Sequence, residues 1–133
     1  MKAILDGIAA RITSVSGAAL RALITDYAPG GTVPPGSACP YLTWVVVVIP
    51  RERTNEGRIQ IARIEWSIFS SKQDTPLEVA NIHDQLVLLF DDCEGSLTIS
   101  GYAVLDVDRT YDQLLPDPDG GYNVFVHHEV TIG

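Results

Sequence analysis

The chain has 133 residues, of which 46% are hydrophobic and 20% are charged. This length and composition indicate one globular domain with a sizeable core and exclude a disordered chain. The formal net charge is −8, which argues against tight binding to nucleic-acid phosphates. An acidic surface can still line a passage along which DNA slides, because like charges repel. No apolar run approaches the ~18 residues of a membrane span, so we expect no membrane partner.

Residues 2–14 form the first predicted helix, because their apolar side chains recur at helical spacing along one stripe. Asp6 and Arg11 interrupt that stripe, so the segment is a poor signal peptide and we expect synthesis in the cytosol. The pattern of residues 19–27 fits a strand or a helix, and we favour a short strand. Residues 28–40 are rich in Pro and Gly, which predicts an irregular, exposed loop.

The next strand, about residues 41–49, contains the run WVVVVI. A strand with one solvent-facing side alternates apolar and polar residues, and this strand does not. A neighbouring subunit is the simplest cover for its second face, because exposed apolar patches mark interfaces. We therefore predict that Trp44, Val46 and Val48 lie at a subunit interface. The alternative is that the 28–40 loop folds back over the strand.

A charged connection, about residues 50–57, leads to a strand over about 58–70. The connection is longer than a tight hairpin turn, so we expect it to project from the sheet as an arm. In the strand over about 58–70 the apolar positions change parity between Ile61 and Ile64. This change predicts a β-bulge near Ala62 and Arg63.

The clearest element is a helix after residue 75. Thr75 is a predicted N-cap, Pro76 suits the first helical position, and Glu78 would complete a capping box. The stripe from Val79 to Cys93 is apolar at helical spacing, and Gly95 is the predicted end of the helix.

Two further strands are predicted, over about 97–110 and 122–132, and a turn-rich loop joins them. The last strand alternates, so one of its faces should be in solvent. The order of elements predicts an α+β fold, with an antiparallel sheet of four to five strands and two helices packed on one face. We expect residues 1–133 to form a single domain.

The sequence contains no recognisable catalytic or nucleotide-binding motif, so we expect no enzyme activity and no cofactor. His127 and His128 are adjacent in a strand, point to opposite faces, and cannot share one metal ion without distortion. The segment DPDGGYN, residues 117–123, has the wrong glycine spacing for a calcium loop and is a predicted hairpin loop. An acidic cluster, residues 91–94, is interpreted as solvated, or as a contact for a cation or a basic partner.

Nearly the whole chain resembles the tail terminator and tail completion proteins of long-tailed bacteriophages. The segments that carry this resemblance follow the first helix in order. They are YAPGG…PPGSACPYLTW (27–44), GRIQIARIEWSIFS (57–70), PLEVANIHDQLVLLF (76–90) and VDRTYDQLLPDPDGGYNVFVHHEVTI (107–132).

The resemblance implies a structural virion protein that forms a ring of six copies. Such a ring caps the head-proximal end of the tail tube, stops tube polymerisation and offers a docking surface to the head. The implied partners are other copies of the chain, the tail tube protein and a head-completion or neck protein, with phage DNA passing through the lumen without specific binding. The implied location is the tail of the virion, after assembly in the host cytoplasm.

On this basis the arm is predicted to dock onto the tube or the head, through Arg51, Glu52, Arg53, Asn55 and Glu56. Two other interpretations stay open: a neck or head-completion ring protein, and a tail-tube protein. A neck protein would bind the portal side, whereas a tube protein would polymerise alone.

Overall fold

The computed structural model of the chain describes residues 1–54, 57–70 and 75–133, with the backbone alone at residues 50–54 and 57–58. Its three helices are α1 (Lys2–Thr13), α2 (Ala18–Leu23) and α3 (Leu77–Phe90), and a 3₁₀ turn (Val15–Gly17) lies between α1 and α2. Its strands are β1 (Asp26–Pro29), β2 (Tyr41–Thr54), β3 (Gly57–Phe69), β4 (Val104–Pro116) and β5 (Tyr122–Ile132). The strands form one sheet in the order β1-β2-β3-β5-β4. The predicted α+β class is confirmed.

The sheet is mixed, so the prediction of a purely antiparallel sheet is wrong at one edge. β1 runs parallel to β2, from the pair Asp26–Tyr41 to the pair Pro29–Trp44, and the other three pairings are antiparallel. A parallel pair needs a connection that returns the chain to the starting end of the first strand. The loop between β1 and β2 makes that return.

Residues 19–27 contain a helix as well as a strand, which corrects the prediction of a strand alone. The segment AALRAL forms α2, and its Ala, Leu and Arg residues all have high helix propensity. Leu20 is buried in the core, and the Arg21 guanidinium donates to the carbonyls of Ile12 and Ser14, 2.5 and 2.6 Å away. α2 thereby satisfies carbonyl groups at the end of α1 that have no partner within that helix.

α1 and α2 belong to the core of the fold. Among the described residues no single helix is long and apolar enough to cross a membrane. α1 and the helical residues up to Leu23 reach that length only together, across a bend of 66°.

α3 keeps its predicted apolar stripe. It begins at Leu77, later than the predicted Pro76, and it ends earlier than predicted. Its N-cap is Pro76, where no side chain caps the helix, and the Thr75 hydroxyl accepts a 3.3 Å hydrogen bond from the Leu77 N–H. The predicted end at Gly95 is wrong. The helix stops at Phe90, because Asp91 takes an extended conformation and Asp92 has a φ of 50°.

The predicted bulge near Ala62 and Arg63 is also wrong. β3 pairs with β2 and with β5 without a register shift at those residues. Ile61 simply faces the side of the sheet opposite to Ile64, where it is nevertheless only 6% exposed. Register shifts occur instead between Pro50 and Arg53 in β2, and at two places in β4.

β4 is the edge strand most displaced from its prediction, because it covers Val104–Pro116 rather than about 97–110. Residues 97–103 precede it with only an isolated bridge between Ile99 and Tyr102. β5 alternates between buried and half-buried residues from Val124 onward, so its predicted solvent-facing side is confirmed.

The core lies between the helices and one face of the sheet, the helix face. Even-numbered residues of β2, β3 and β5 point to this face, and their partners in the core are the apolar stripes of the helices. Trp66 is at its centre, with ring centroids 5.5 Å from Trp44 and 4.7 Å from Phe90. Arg11 of α1 lies 6.0 Å from the Phe90 ring centre and donates to the Leu89 carbonyl at 2.8 Å.

Gly17 is a tight point in the fold that a substitution can test. A Cβ there would lie 2.0 Å from the carbonyl oxygen of Ile12, so the backbone would have to move. We expect Gly17→Ala to lower the free energy of unfolding by about 1–3 kcal/mol, as overpacking does. Gly95→Ala is the matched control, because nothing lies within 4 Å of its Cβ position. Urea titration measures both, and equal midpoints for the two variants would contradict this account of Gly17.

Candidate assembly interface

The two faces of β2 have different surroundings, although the strand is apolar on both. Leu42, Trp44, Val46 and Val48 point to the helix face and belong to the core or pack against it. The odd-numbered residues point to the opposite face of the sheet, the solvent face, which no helix covers. The helices therefore explain half of the apolar run, and the other half needs a different explanation.

The predicted interface residues Trp44, Val46 and Val48 all lie on the helix side. Trp44 is 1% exposed and is part of the chain's own core, so it has almost no surface left for a partner. Val46 and Val48 are half-buried against that core. An interface role for these two valines stays a prediction.

The loop between β1 and β2 covers the first part of the solvent face. The Gly31 N–H donates to the Thr43 hydroxyl at 2.9 Å, and Thr43 is fully buried. Gly31 also packs so closely on Val45 that a Cβ at Gly31 would lie 2.5 Å from a Val45 methyl carbon. The alternative of a loop folded over the strand is thus correct for its start. Further along, Val45 is 39% exposed and Ile49 is 38% exposed.

The predicted arm is an extension of two paired strands. Arg51, Glu52 and Arg53 belong to β2, whose backbone pairs with β3 as far as Thr54 and Gly57. β5 pairs with β3 only from Gln60 onward, so the end of the β2–β3 hairpin extends past its neighbour. Asn55 and Glu56 lie outside the described residues. Docking by any of these residues stays a prediction.

The middle of the solvent face is polar. Arg63 and Glu65 of β3 form an ion pair with 3.3 Å between Nε and Oε2, and His127 Nε2 lies 3.8 Å from the same oxygen. The His127 ring packs on Tyr111 of β4, with centroids 4.7 Å apart. The exposed large apolar side chains on this face therefore lie at its margins, on β2 and on β4.

A buried polar network joins the end of α3 to β5 and β4. The Trp66 indole N–H donates to His128 Nδ1 at 3.0 Å. His128 is therefore neutral, with its proton on Nε2. This Nε2–H donates to Asp91 Oδ1 at 2.7 Å. Arg109 of β4 lies 3.4 Å from the other oxygen of Asp91. This network accounts for Asp91, which the sequence alone presented as part of a solvated acidic cluster.

The His128–Asp91 pair is built for structure and not for catalysis. Burial lowers the pKa of His128 from its usual 6.5, and the nearby Asp91 only partly opposes this effect. A catalytic histidine needs a free ring nitrogen facing a reacting group, whereas His128 Nδ1 is occupied by Trp66 and the residue is fully buried. No sequence signal identified this pairing, because it joins residues 37 positions apart.

The remaining candidate chemistry is also satisfied within the chain. His127 and His128 point to opposite faces, as predicted. Asp117 accepts hydrogen bonds from the Asp119 N–H at 2.9 Å and the Asn123 amide at 3.0 Å, and these bonds lower the pKa of Asp117. Within the described parts of the chain, no group of three or more His, Cys, Asp or Glu side chains is arranged to hold a metal ion.

Comparison with known proteins points to phage tails. A family model described as tail completion protein gp17 matches residues 10–133. A chain from a structure titled "Virion of native gene transfer agent (GTA) particle" superposes with a TM-score of 0.68 at 14% identity, and the match covers 99% of this chain and 93% of that one. At this identity the likeness shows the fold. No curated protein matches the sequence.

The neutral state of His128 predicts how stability depends on pH. Its pKa is lower in the folded state, so the unfolded chain binds more protons as the pH falls below about 6.5. The contribution of His128 to stability is complete above that pH and is lost on acidification towards the folded-state pKa. We expect the free energy of unfolding of the wild type to fall over this range, and the His128→Gln variant to lose this part of the slope. Urea titrations between pH 7.5 and 5 measure both, and parallel pH profiles would contradict the assignment.

Proposed function

Because the chain belongs to the tail completion protein gp17 family, we propose that it forms a ring that caps the head-proximal end of the tail tube. In this proposal the ring has six copies, stops polymerisation of the tube and provides the surface to which the head docks. The observation that carries the proposal is the family match, which leaves out only the first nine residues. The role itself is structural: the chain is a tail completion protein of a phage-like virion.

The proposed ring is supported by apolar surface that the chain does not cover itself. Val45 and Ile49 are exposed on the solvent face of β2, and Val46 and Val48 are only half-buried on the helix face. A subunit of a ring needs such surface on two sides, because each copy contacts two neighbours. β2 thus has apolar side chains on both faces that a contact with another copy could bury.

The charge of the chain fits a passage for DNA. The net charge is −8, and the exposed Asp106 and Asp108 of β4 and Asp119 of the loop before β5 are acidic. DNA within about one Debye length of an acidic wall is repelled and not retained, so it can slide through the lumen without specific binding. We assign the lumen no individual residue.

The partners in this proposal are the tail tube protein on one side and a head-completion or neck protein on the other. The end of the β2–β3 hairpin projects past β5 and is the part of the sheet best placed to reach an adjacent ring. The location is the head-proximal end of the tail in the virion, after assembly in the host cytoplasm.

Assembly is testable with aspartates on β2. We expect Val46→Asp and Val48→Asp to abolish the ring, because a subunit contact would have to bury the new carboxylate. Val15→Asp is the control, since Val15 is 92% exposed on the 3₁₀ turn, away from the sheet. Negative-stain microscopy and native mass, with tail tubes added, show rings and capped tube ends. Thermal unfolding shows that each variant is folded, and normal rings from folded β2 variants would remove these valines from the interface.

The arm is testable by charge reversal. We expect Arg51→Glu with Arg53→Glu to leave the fold and the ring intact and to weaken docking to tubes or heads, because a contact of opposite charge becomes repulsive. Arg63→Glu is a matched reversal in the middle of the solvent face. Binding of each variant to purified tubes and to heads is measured by co-sedimentation. Docking equal to that of the wild type would exclude the arm, and binding to heads but not to tubes would favour a neck protein.

A further inference from the structure

The sheet has an open edge on each side. On one side β1 pairs with β2 only as far as Trp44, so β2 from Val45 onward has no described partner on the side away from β3. On the other side β4 pairs with β5 and is the last strand of the sheet. Strand edges of this kind carry rows of unpaired N–H and C=O groups, which other strands can bind.

The hydrogen bonds of the chain show which backbone groups face outward on β2. Gly30 N–H donates to the Trp44 carbonyl at 2.9 Å, so Trp44 points its backbone groups towards the β1 side. The backbone N–H and C=O groups of one residue point the same way, and this direction alternates from each residue of a strand to the next. The N–H and C=O of Val46 and Val48, and the carbonyl of Pro50, therefore face the open edge.

The same argument applies to β4. Gly133 and Ala103 exchange two backbone hydrogen bonds, of 3.0 and 2.9 Å, so odd-numbered residues at the end of the chain point to β4. Phe125 is one of these odd-numbered residues, and it pairs with Gln113. The N–H and C=O of Gln113 therefore point to β5. Asp112 and Leu114 consequently present their N–H and C=O at the open edge, followed by the carbonyl of Pro116. Over residues 45–50 of β2 and 111–116 of β4, each edge thus offers two complete residues followed by a proline, which has no N–H.

The side chains of the two edge strands are typical of a subunit interface and not of an edge that is protected from pairing with another strand. Half of the exposed large apolar side chains in the described residues lie on these strands: Val45, Ile49, Leu105, Tyr111, Leu114 and Leu115. β2 carries no charge over residues 45–50. On β4 the carboxylate of Asp112 is held by Arg109 at 2.7 Å and by His83 at 2.8 Å, so it does not repel an incoming strand.

We propose that the open edge of β2, residues 45–50, pairs with the open edge of β4, residues 111–116, of a second copy of this chain. The sheet then continues across the subunit boundary. β2, β3, β5 and β4 alternate in direction, so a neighbour rotated about an axis along the strands brings its β2 antiparallel to β4. Two different edges meet, which is the head-to-tail contact that closes into a ring.

This inference rests on the proposed ring and specifies how its subunits join. The test uses proline at outward-facing positions, because proline removes the N–H that a second copy would bind and spares the bonds within the chain. The variants are Val48→Pro on β2 and Leu114→Pro on β4, and Val46→Pro replaces the first if it fails to fold. Leu114→Thr is the matched control, since it shortens the side chain and keeps the N–H. Circular dichroism and a single cooperative unfolding transition show that each is folded.

We expect both proline variants to lose the assembly that the wild type and Leu114→Thr form, in native mass or on tube ends. A mixture of Val48→Pro and Leu114→Pro is the sharper test. The first keeps an intact β4 edge and the second an intact β2 edge. Because a single contact is weak, the mixture is cross-linked at high protein concentration, where it should give a dimer and nothing larger. Either variant forming a dimer alone would overturn β2–β4 pairing in favour of contact between identical edges.

Two further outcomes separate this inference from the proposed function. If the proline variants assemble like the wild type, the ring stands and pairing through the strand edges is wrong. If the wild type itself forms no ring, either alone or on tubes, the proposed ring fails and the edge pairing fails with it.

Discussion

The contacts of the Trp66 side chain hold the sheet and the helices in one arrangement. Its indole ring packs on Trp44 of β2 and on Phe90 at the end of α3, and its N–H reaches His128 of β5. A buried N–H without a partner costs about 1–3 kcal/mol, so the histidine must stay neutral and must be oriented. Asp91 provides that orientation, and to do so it leaves the helical conformation immediately after Phe90. The contacts of Trp66 at the centre of the core therefore set the residue at which α3 ends.

The elements that could be predicted are those that follow a local period. The stripe of α3 and the alternation of β5 are visible in the sequence because each element has one buried side and one exposed side. The parallel pairing of β1 could not be predicted, since four residues carry no signal for a distant partner. The bulge assigned near Ala62 was wrong for a related reason. Ile61 is apolar on the solvent face, and apolar residues on both faces imitate a change of parity.

The candidate interface shows the same limit. The uninterrupted apolar run of β2 predicted apolar side chains on both faces of the strand, and the structure has them. It could not indicate which residues face the helices, because a strand that is apolar on both sides has no orientation signal. Trp44 went into the core, and Val45 and Ile49 became the exposed residues. The partnership of His128 with Asp91 left no trace in the sequence either, since neither residue belongs to a motif.

The two prolines that end the proposed pairing segments, residues 45–50 and 111–116, have a consequence for the order of assembly. With two complete residues in each segment, one boundary between copies has few backbone hydrogen bonds, each contributing about 0.5–1.5 kcal/mol net. A single such contact hardly offsets the translational and rotational freedom lost on association. The last contact of a closed circle costs no further freedom of this kind, because its two ends are already held together. Open chains of a few copies would then be scarce at equilibrium, and the population would divide between free subunits and complete circles.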